Sequence, residues 1–271
     1  MSSKPDHPEL LRLARQFNWI LPSLDDCPPT ESAYSDEHAR ERAELDRFSW
    51  WYQTRNCIIR KALRPIPRNH ALWDIGCGTG VVAESLIDDG REVIGLEPSA
   101  VGAVIASSYG LTVLPTTLES LHLPNESIQT IMLFDVLEHI ADRQDFLREI
   151  QRVLTPGGYL LISVPAMNWL WSSFDIDERH HLRYTKKKLS SELSSNGFRV
   201  TKTGYYFFLT VIPLFMLRAL PFRFGLRSQL TDRSAVGASG GVLGRILTRI
   251  ETLIALQVPL GSSLFAIAQR E

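Results

Sequence analysis

Leu72-Trp73-Asp74-Ile75-Gly76-Cys77-Gly78-Thr79-Gly80 is the stretch that decides the fold. The apolar run from Ala71 to Ile75 reads as a buried strand, three alternate glycines follow, and Val81 to Ile87 reads as a helix. Glycine admits backbone angles closed to other residues, and without a Cβ it lets a ligand approach the main chain beside the donor-rich start of a helix. The stretch therefore predicts a cofactor cradle. The dinucleotide fingerprint G-x-G-x-x-G fails here, because Val81 stands where its third glycine or alanine packs helix against strand.

Outward from the cradle, Glu92 to Leu96 reads as a second buried strand ending in Glu97-Pro98-Ser99. An acid at that tip of a doubly wound sheet lies beside the glycine turn, where its two oxygens can accept both hydroxyls of a ribose. Strand and helix signals then alternate: a helix to about Ser108, strands at 111–115, 128–134 and 159–165, a helix from Asp142 to Leu154, another at 186–196, a sixth strand at 198–203, and an isolated apolar strand at 262–268.

The pattern D-x-G-x-G-x-G from Asp74 to Gly80 resembles the first motif of the class I S-adenosylmethionine-dependent methyltransferases, and Asp135-Val136-Leu137-Glu138-His139 and Arg152 to Gly158 resemble two later segments of that family. The likeness covers residues 69–204 and implies an α/β, doubly wound, Rossmann-like seven-stranded methyltransferase sheet of order 3-2-1-4-5-7-6 with its last strand antiparallel. It implies S-adenosyl-L-methionine as cofactor, with Asp74, Gly76, Cys77, Gly78, Gly80, Glu97, Pro98, Thr117, Leu118, Phe134 and Asp135 around it. Thr117 and Gln129 stand where the family often has aspartate, which leaves the adenine contact to Thr117, Glu119 or the main chain, beside an apolar wall at Leu118. By the same likeness, a helix N-terminal to the core covers the cofactor, with Trp51 and Arg55 as a lid that meets its carboxylate.

The segment Pro165 to Thr185 leaves the sheet on its functional edge and is too long for a connector. It resembles a subset of the family with P-W-L-W-S and H-x-R-R-Y-T segments, and it supplies Trp169, Trp171 and Arg183 as acceptor-binding candidates and His180, Tyr184 and the nearby His139 as catalytic ones. His180 reads as a general base, a hydroxyl-orienting group or a loop anchor, and His139 as catalytic or structural. No metal is expected, since Mg²⁺ has no need of histidine and zinc sites draw three or four ligands from rigid elements.

The chain divides into a lead-in and cap helix at 1–68, a cofactor-binding core at 69–204, an apolar and amphipathic helical insertion at 205–260, and a closing strand at 261–271. Residues 1–34 are expected to be loosely attached, and a helix capped by Ser35 to run towards Pro65. Between Thr203 and Leu217 no residue is charged, and Arg218, Arg223 and Arg227 follow; the segment reads as a peripheral membrane contact through 205–227, a hydrophobic substrate cap, or a packing face. A formal net charge of -1 argues against nucleic acid, and three scattered cysteines with no signal-like N-terminus suggest the cytoplasm. The functional expectation is O-methylation of a hydrophobic small-molecule acceptor. The alternatives are a nicotinamide-dependent oxidoreductase and a non-catalytic scaffold at a membrane surface.

Overall fold

A computed structural model of the chain describes residues 7–17, 43, 47–227 and 242–271. Its centre is a seven-stranded sheet: β1 (Leu72–Ile75), β2 (Val93–Leu96), β3 (Thr112–Leu114), β4 (Ile128–Phe134), β5 (Leu154–Pro165), β6 (Phe198–Tyr206) and β7 (Ser263–Arg270). The spatial order is β3-β2-β1-β4-β5-β7-β6, and β7 is antiparallel to both neighbours. This is the expected order and the expected odd strand.

The strands are apolar throughout because both sheet faces are covered. Alternate residues divide between two cores, as the two-residue side-chain period requires. Trp73, Ile131, Leu133, Leu160, Ile162 and Leu264 point to one layer, and Leu72, Met132, Phe134, Leu161 and Phe265 to the other. The first layer is closed by α1 (Pro8–Phe17), α5 (Arg143–Val153) and α7 (Lys186–Ser195). The second is closed by α2 (Trp50–Ala62), α3 (Val81–Ile87) and α4 (Ala100–Ser108).

Three expectations are corrected. The lead-in is not loose in its described part: Leu10 and Leu13 are fully buried in the first layer, and Arg12 donates to the Ser127 carbonyl across the fold. The cap helix begins at Trp50, where extended Ser49 accepts the Tyr52 amide, so no helix runs unbroken from 35 to 65; Ser35 itself lies outside the described residues. The helical insertion starts later than 205, because Tyr205 and Tyr206 pair with Leu264 and Ser263 as the last rungs of β6.

After β6 comes a helical stretch, α8 (Val211–Leu214, a π-helical turn at Phe215–Ala219, then Leu220–Arg223), and before β7 comes α9 (Val242–Ile254). Buried Glu251 of α9 ties the two together by accepting the Phe208 and Leu209 amides at 2.8 and 3.2 Å. Thr248 bonds Thr54, and the Thr252 carbonyl accepts Lys61, which fastens α9 to the cap helix. Outward from this pair stand Ile212, Met216, Leu217 and Phe224 on one side and Val242, Ile246, Ile250 and Leu253 on the other, all exposed. Among the described residues no helix is long and apolar enough to cross a membrane.

Candidate active site

β1 delivers the chain to the glycine turn, where the Gly76 and Cys77 amides both donate to the Leu96 carbonyl, at 2.7 and 3.0 Å. Gly76, Gly78 and Gly80 have φ of +71°, +57° and +80°, so each adopts the left-handed region that costs a side-chain-bearing residue about 1–2 kcal/mol. A Cβ on Gly76 would come within 2.7 Å of Val136 Cγ2, whereas one on Gly78 would meet nothing within 4 Å. The first glycine is thus needed for packing, and the second leaves main chain open to a ligand. Cys77 belongs to the turn as a packed thiol, raised by burial well above its ordinary pKa and so unreactive near neutrality.

Glu97 stands at the tip of β2 with one carboxylate oxygen accepting the Gly78 amide and the other the Ser99 amide, each at 2.8 Å. Burial raises its pKa, and those two N–H groups pull it back. A carboxylate pinned in this way keeps further lone pairs for a diol, with half-buried Pro98 beside it. Behind the turn Asp74 is nearly fully buried, and burial pushes it up to about 7 against the pull of Arg55. The loop after β3 is less open than expected. Leu118 is 0 % exposed and sunk in the first core layer, so it presents no wall to a base, and the Thr117 hydroxyl is engaged with Ser120 at 3.1 Å.

Arg55 reaches the site but is fastened there. Its Nη1 lies 2.7 Å from Asp135 Oδ2, and Asp135 Oδ1 accepts the Ser163 hydroxyl, itself 2.6 Å from the Tyr206 hydroxyl. Burial opposes the Arg55 charge, but Asp135 and its other neighbours outweigh it and raise the guanidinium pKa. Burial, then Asp135, pushes Tyr206 up to about 12. Trp51 stacks on Phe207 with ring centres 3.7 Å apart. The expected lid is therefore a fixed wall, and Asp135, rather than a cofactor carboxylate, is the partner the fold itself gives Arg55. Phe134 precedes Asp135 as a buried β4 residue, and Asp135 takes a left-handed φ of +58°, a strained corner at the carboxyl edge of the sheet.

The side expected to take the acceptor is assembled by the loop after β5. Ser172 and Asp175 form a capping box that starts α6 (Ser173–Asp177). Asp175, 0 % exposed, also accepts His180 Nδ1 at 2.9 Å and Arg183 Nε and Nη2 at 2.7 and 3.1 Å. Burial works against its charge, but His180 and Arg183 together hold its pKa below the ordinary value. The His180 ring lies edge-on to His139, centres 4.9 Å apart, and burial, helped by His180, lowers His139 to about 4. Two rings thus meet edge-on, and the His180 ring is buttressed by a carboxylate.

Two acceptor-side candidates are removed by their surroundings. Arg183 is buried, chelates Asp175 and donates to the Ala166 carbonyl, so it holds the loop and has no free face for an anion. Tyr184 is fully buried in the core, and burial, with Glu192 beside it, raises its phenol above the tyrosine range. Trp169 stays exposed, edge-on to Phe215 of α8, while Trp171 is half-buried. Arg218 lies over Phe174, and Arg223 over Phe215. The inner side of α8 therefore covers the acceptor loop.

Sequence reasoning missed four participants. Asp175 carries the S-x-x-D capping signal but no assigned role, Ser163 reads only as a strand residue, and Tyr206 reads as part of the apolar insertion after the sixth strand. Glu138 was quoted as part of a motif and given no role. It is 0 % exposed, neither of its carboxylate oxygens has a hydrogen-bond partner among the described residues, and burial raises it well above the ordinary carboxylate range. Glu138, His139 and His180 each offer a donor atom within 4.8 Å of the others.

A family model described as a methyltransferase domain matches residues 73–162, from the first strand through the D-V-L-E-H corner to β5. A Mycobacterium tuberculosis protein named probable S-adenosylmethionine-dependent methyltransferase is 30% identical over 185 residues, covering 65% of this chain and 67% of that one. The chain belongs to the S-adenosylmethionine-dependent methyltransferases. The ubiquinone biosynthesis O-methyltransferase of a Bradyrhizobium strain is 32% identical over 104 residues, and the alignment spans 36% of this methyltransferase and 41% of that relative. In fold, the enzyme is similar to phosphoethanolamine N-methyltransferase 2 of Haemonchus contortus in complex with S-adenosyl-L-methionine. The TM-score is 0.55 at 16% identity, covering 89% of this chain and 60% of that one. The enzyme uses S-adenosylmethionine, and its family match ends at residue 162, before the acceptor loop begins.

Proposed function

We propose that this methyltransferase methylates a hydroxyl group on a hydrophobic small molecule. The observation that carries the reading is His180, held by buried Asp175 so that Nδ1 is occupied and Nε2 is left for the acceptor. S-adenosylmethionine, when bound, supplies a methyl group already activated by its sulfonium, so the enzyme's main task is to align the acceptor oxygen with carbon and sulfur. Alcohols and phenols keep their proton near neutral pH and profit from a positioned base, whereas carboxylates and free amines need little help. In this reading the acceptor oxygen bonds to the methyl carbon, the carbon–sulfur pair returns to sulfur, and His180 Nε2 receives the proton. Gly78 and its neighbours in the turn take the amino-acid part of the cofactor, and Glu97 takes the ribose.

Trp169 and Trp171 supply an aromatic wall, and α8 roofs the loop, which suits an acceptor with a sizeable apolar part. The exposed Ile212, Met216 and Phe224, with Arg223 and Arg227 close by in sequence, support peripheral contact with an anionic bilayer that presents such an acceptor. Methyl transfer from labelled cofactor to extracted lipids and metabolites, for wild type and His180→Ala, tests the reading. Label in an ether of an apolar metabolite, lost in the variant, is expected. Label confined to protein or RNA overturns the acceptor class, and unchanged turnover removes His180 from the chemistry.

A further inference from the structure

We propose that Glu138, His139 and His180 form a binding site for one divalent transition-metal ion of the zinc, iron or manganese kind, open on the acceptor side. Three donors from two separate segments converge there: Glu138 and His139 from the turn after β4, and His180 from the loop after β5, all within 4.8 Å of one another. Donors about 2.1 Å from a shared ion stand about 3.4 Å apart, so the three donor atoms, within 4.8 Å of one another, are close to the separation that coordination requires.

The decisive observation is Glu138. A carboxylate with no exposed surface and, among the described residues, no hydrogen bond to either oxygen is costly unless something compensates it; Arg55 and Arg183 favour its charge but donate to neither oxygen, and it lies beside two imidazoles. The surroundings have the second layer that metal-bound histidines use. His180 gives Nδ1 to Asp175, which leaves Nε2 as the ligand atom, and Arg183 fixes Asp175 through two further hydrogen bonds. Two imidazoles and one carboxylate suit zinc, iron or manganese rather than magnesium, which prefers an all-oxygen shell. Three protein ligands leave positions for water or for an acceptor hydroxyl.

This role for the ion rests on the hydroxyl-acceptor reading and changes where the proton goes. When held by Glu138, His139 and His180, the ion would lower the pKa of an acceptor hydroxyl beside it, whose proton would leave to solvent, and His180 would be a ligand in place of a base. The test uses the full chain, stripped by a chelator and titrated with Co²⁺, whose visible absorption reports coordination, beside calorimetry with S-adenosylmethionine. One Co²⁺ per chain is expected, with binding weakened at least tenfold in Glu138→Gln and in His180→Ala and unchanged in His181→Ala, an exposed neighbour. Retained cofactor binding in each variant shows that it is folded. No Co²⁺ spectrum in the wild type, or equal spectra in wild type and both ligand variants, overturns the site. Metal binding without methyl transfer to any hydroxyl leaves the site standing and removes the acceptor reading. Hydroxyl methylation that survives chelation in a chain that binds no Co²⁺ does the reverse.

Discussion

The two halves of the active site are built from different materials. The cofactor half is main chain: three glycine backbones, the amides of Gly76 to Gly78, and one acid pinned by two of its neighbours' N–H groups. The half proposed to take the acceptor is side chain: Asp175, His180 and Arg183 from one loop, Glu138 and His139 from another, under a roof from α8. A main-chain site tolerates any side chain that leaves its backbone angles alone. A side-chain site fails when one buried partner goes, because the remaining charges lose their compensation. The difference teaches why one frame can keep its cofactor while changing its acceptor: Asp175, His180 and Arg183 hang on the loop after β5, and the turn after β4, whose Val136 packs on Gly76, joins the two halves.

The sharpest way to break this comparison is Asp175→Ala. It leaves buried Arg183 and His180 without their shared partner, and a loss of about 3–5 kcal/mol in unfolding free energy is expected, read by urea denaturation. At low temperature the folded fraction should still bind S-adenosylmethionine but transfer no methyl group. Equal loss of cofactor affinity would show that the halves are not independent.

Within the cofactor half, Gly76→Ala and Gly78→Ala should separate folding from binding. Gly76 carries both a left-handed φ and a 2.7 Å clash with Val136, so about 2–3 kcal/mol of stability should go. Gly78 has the φ but no clash, so stability should fall by about 1 kcal/mol while cofactor affinity drops at least tenfold, because the new methyl group occupies ligand space. Thermal melting and calorimetry on the two variants read the contrast.

Acid should act on the acceptor half through His139. Its folded pKa of about 4 lies below the ordinary 6.5, so the folded state holds fewer protons between these values. Its contribution is complete above about 6.5 and is lost as pH falls towards 4, by at most about 3 kcal/mol. Asp74 and Glu138, with raised values, run the other way, so the stability difference between wild type and His139→Gln is the quantity to follow. That difference should favour the wild type increasingly from pH 4 to 6.5, and a flat profile would withdraw the buried-imidazole account.

The smallest effect on the fold belongs to the outer face of α8. Ile212→Glu with Phe224→Glu should change stability by no more than about 0.5 kcal/mol per site, since both side chains stand in solvent. Flotation with phosphatidylglycerol vesicles should nonetheless fall severalfold relative to wild type. Unchanged flotation would leave α8 as a roof and nothing more.

The sequence by itself determined the frame. Apolar strands of fixed period, the glycine run at 76–80 and the acid at 97 are local signals, because a turn that needs left-handed angles must be written as glycine and a strand covered on both faces must be written as an unbroken apolar run. The seven-strand order followed from these signals and the family likeness together. Only the tertiary structure decided who partners whom. Arg55 read as a lid reaching for a cofactor and is a strut on Asp135; Arg183 read as an anion binder and is a clamp on Asp175; Tyr184 read as catalytic and is core. The physical reason is that a charged or phenolic side chain looks the same in sequence whether it ends in solvent, in a site or in the core, and its partner, here up to 80 residues away, is set by packing alone. Glu138 is the extreme case: nothing in the sequence marks a carboxylate as buried and unpartnered until the two loops that enclose it have been brought together.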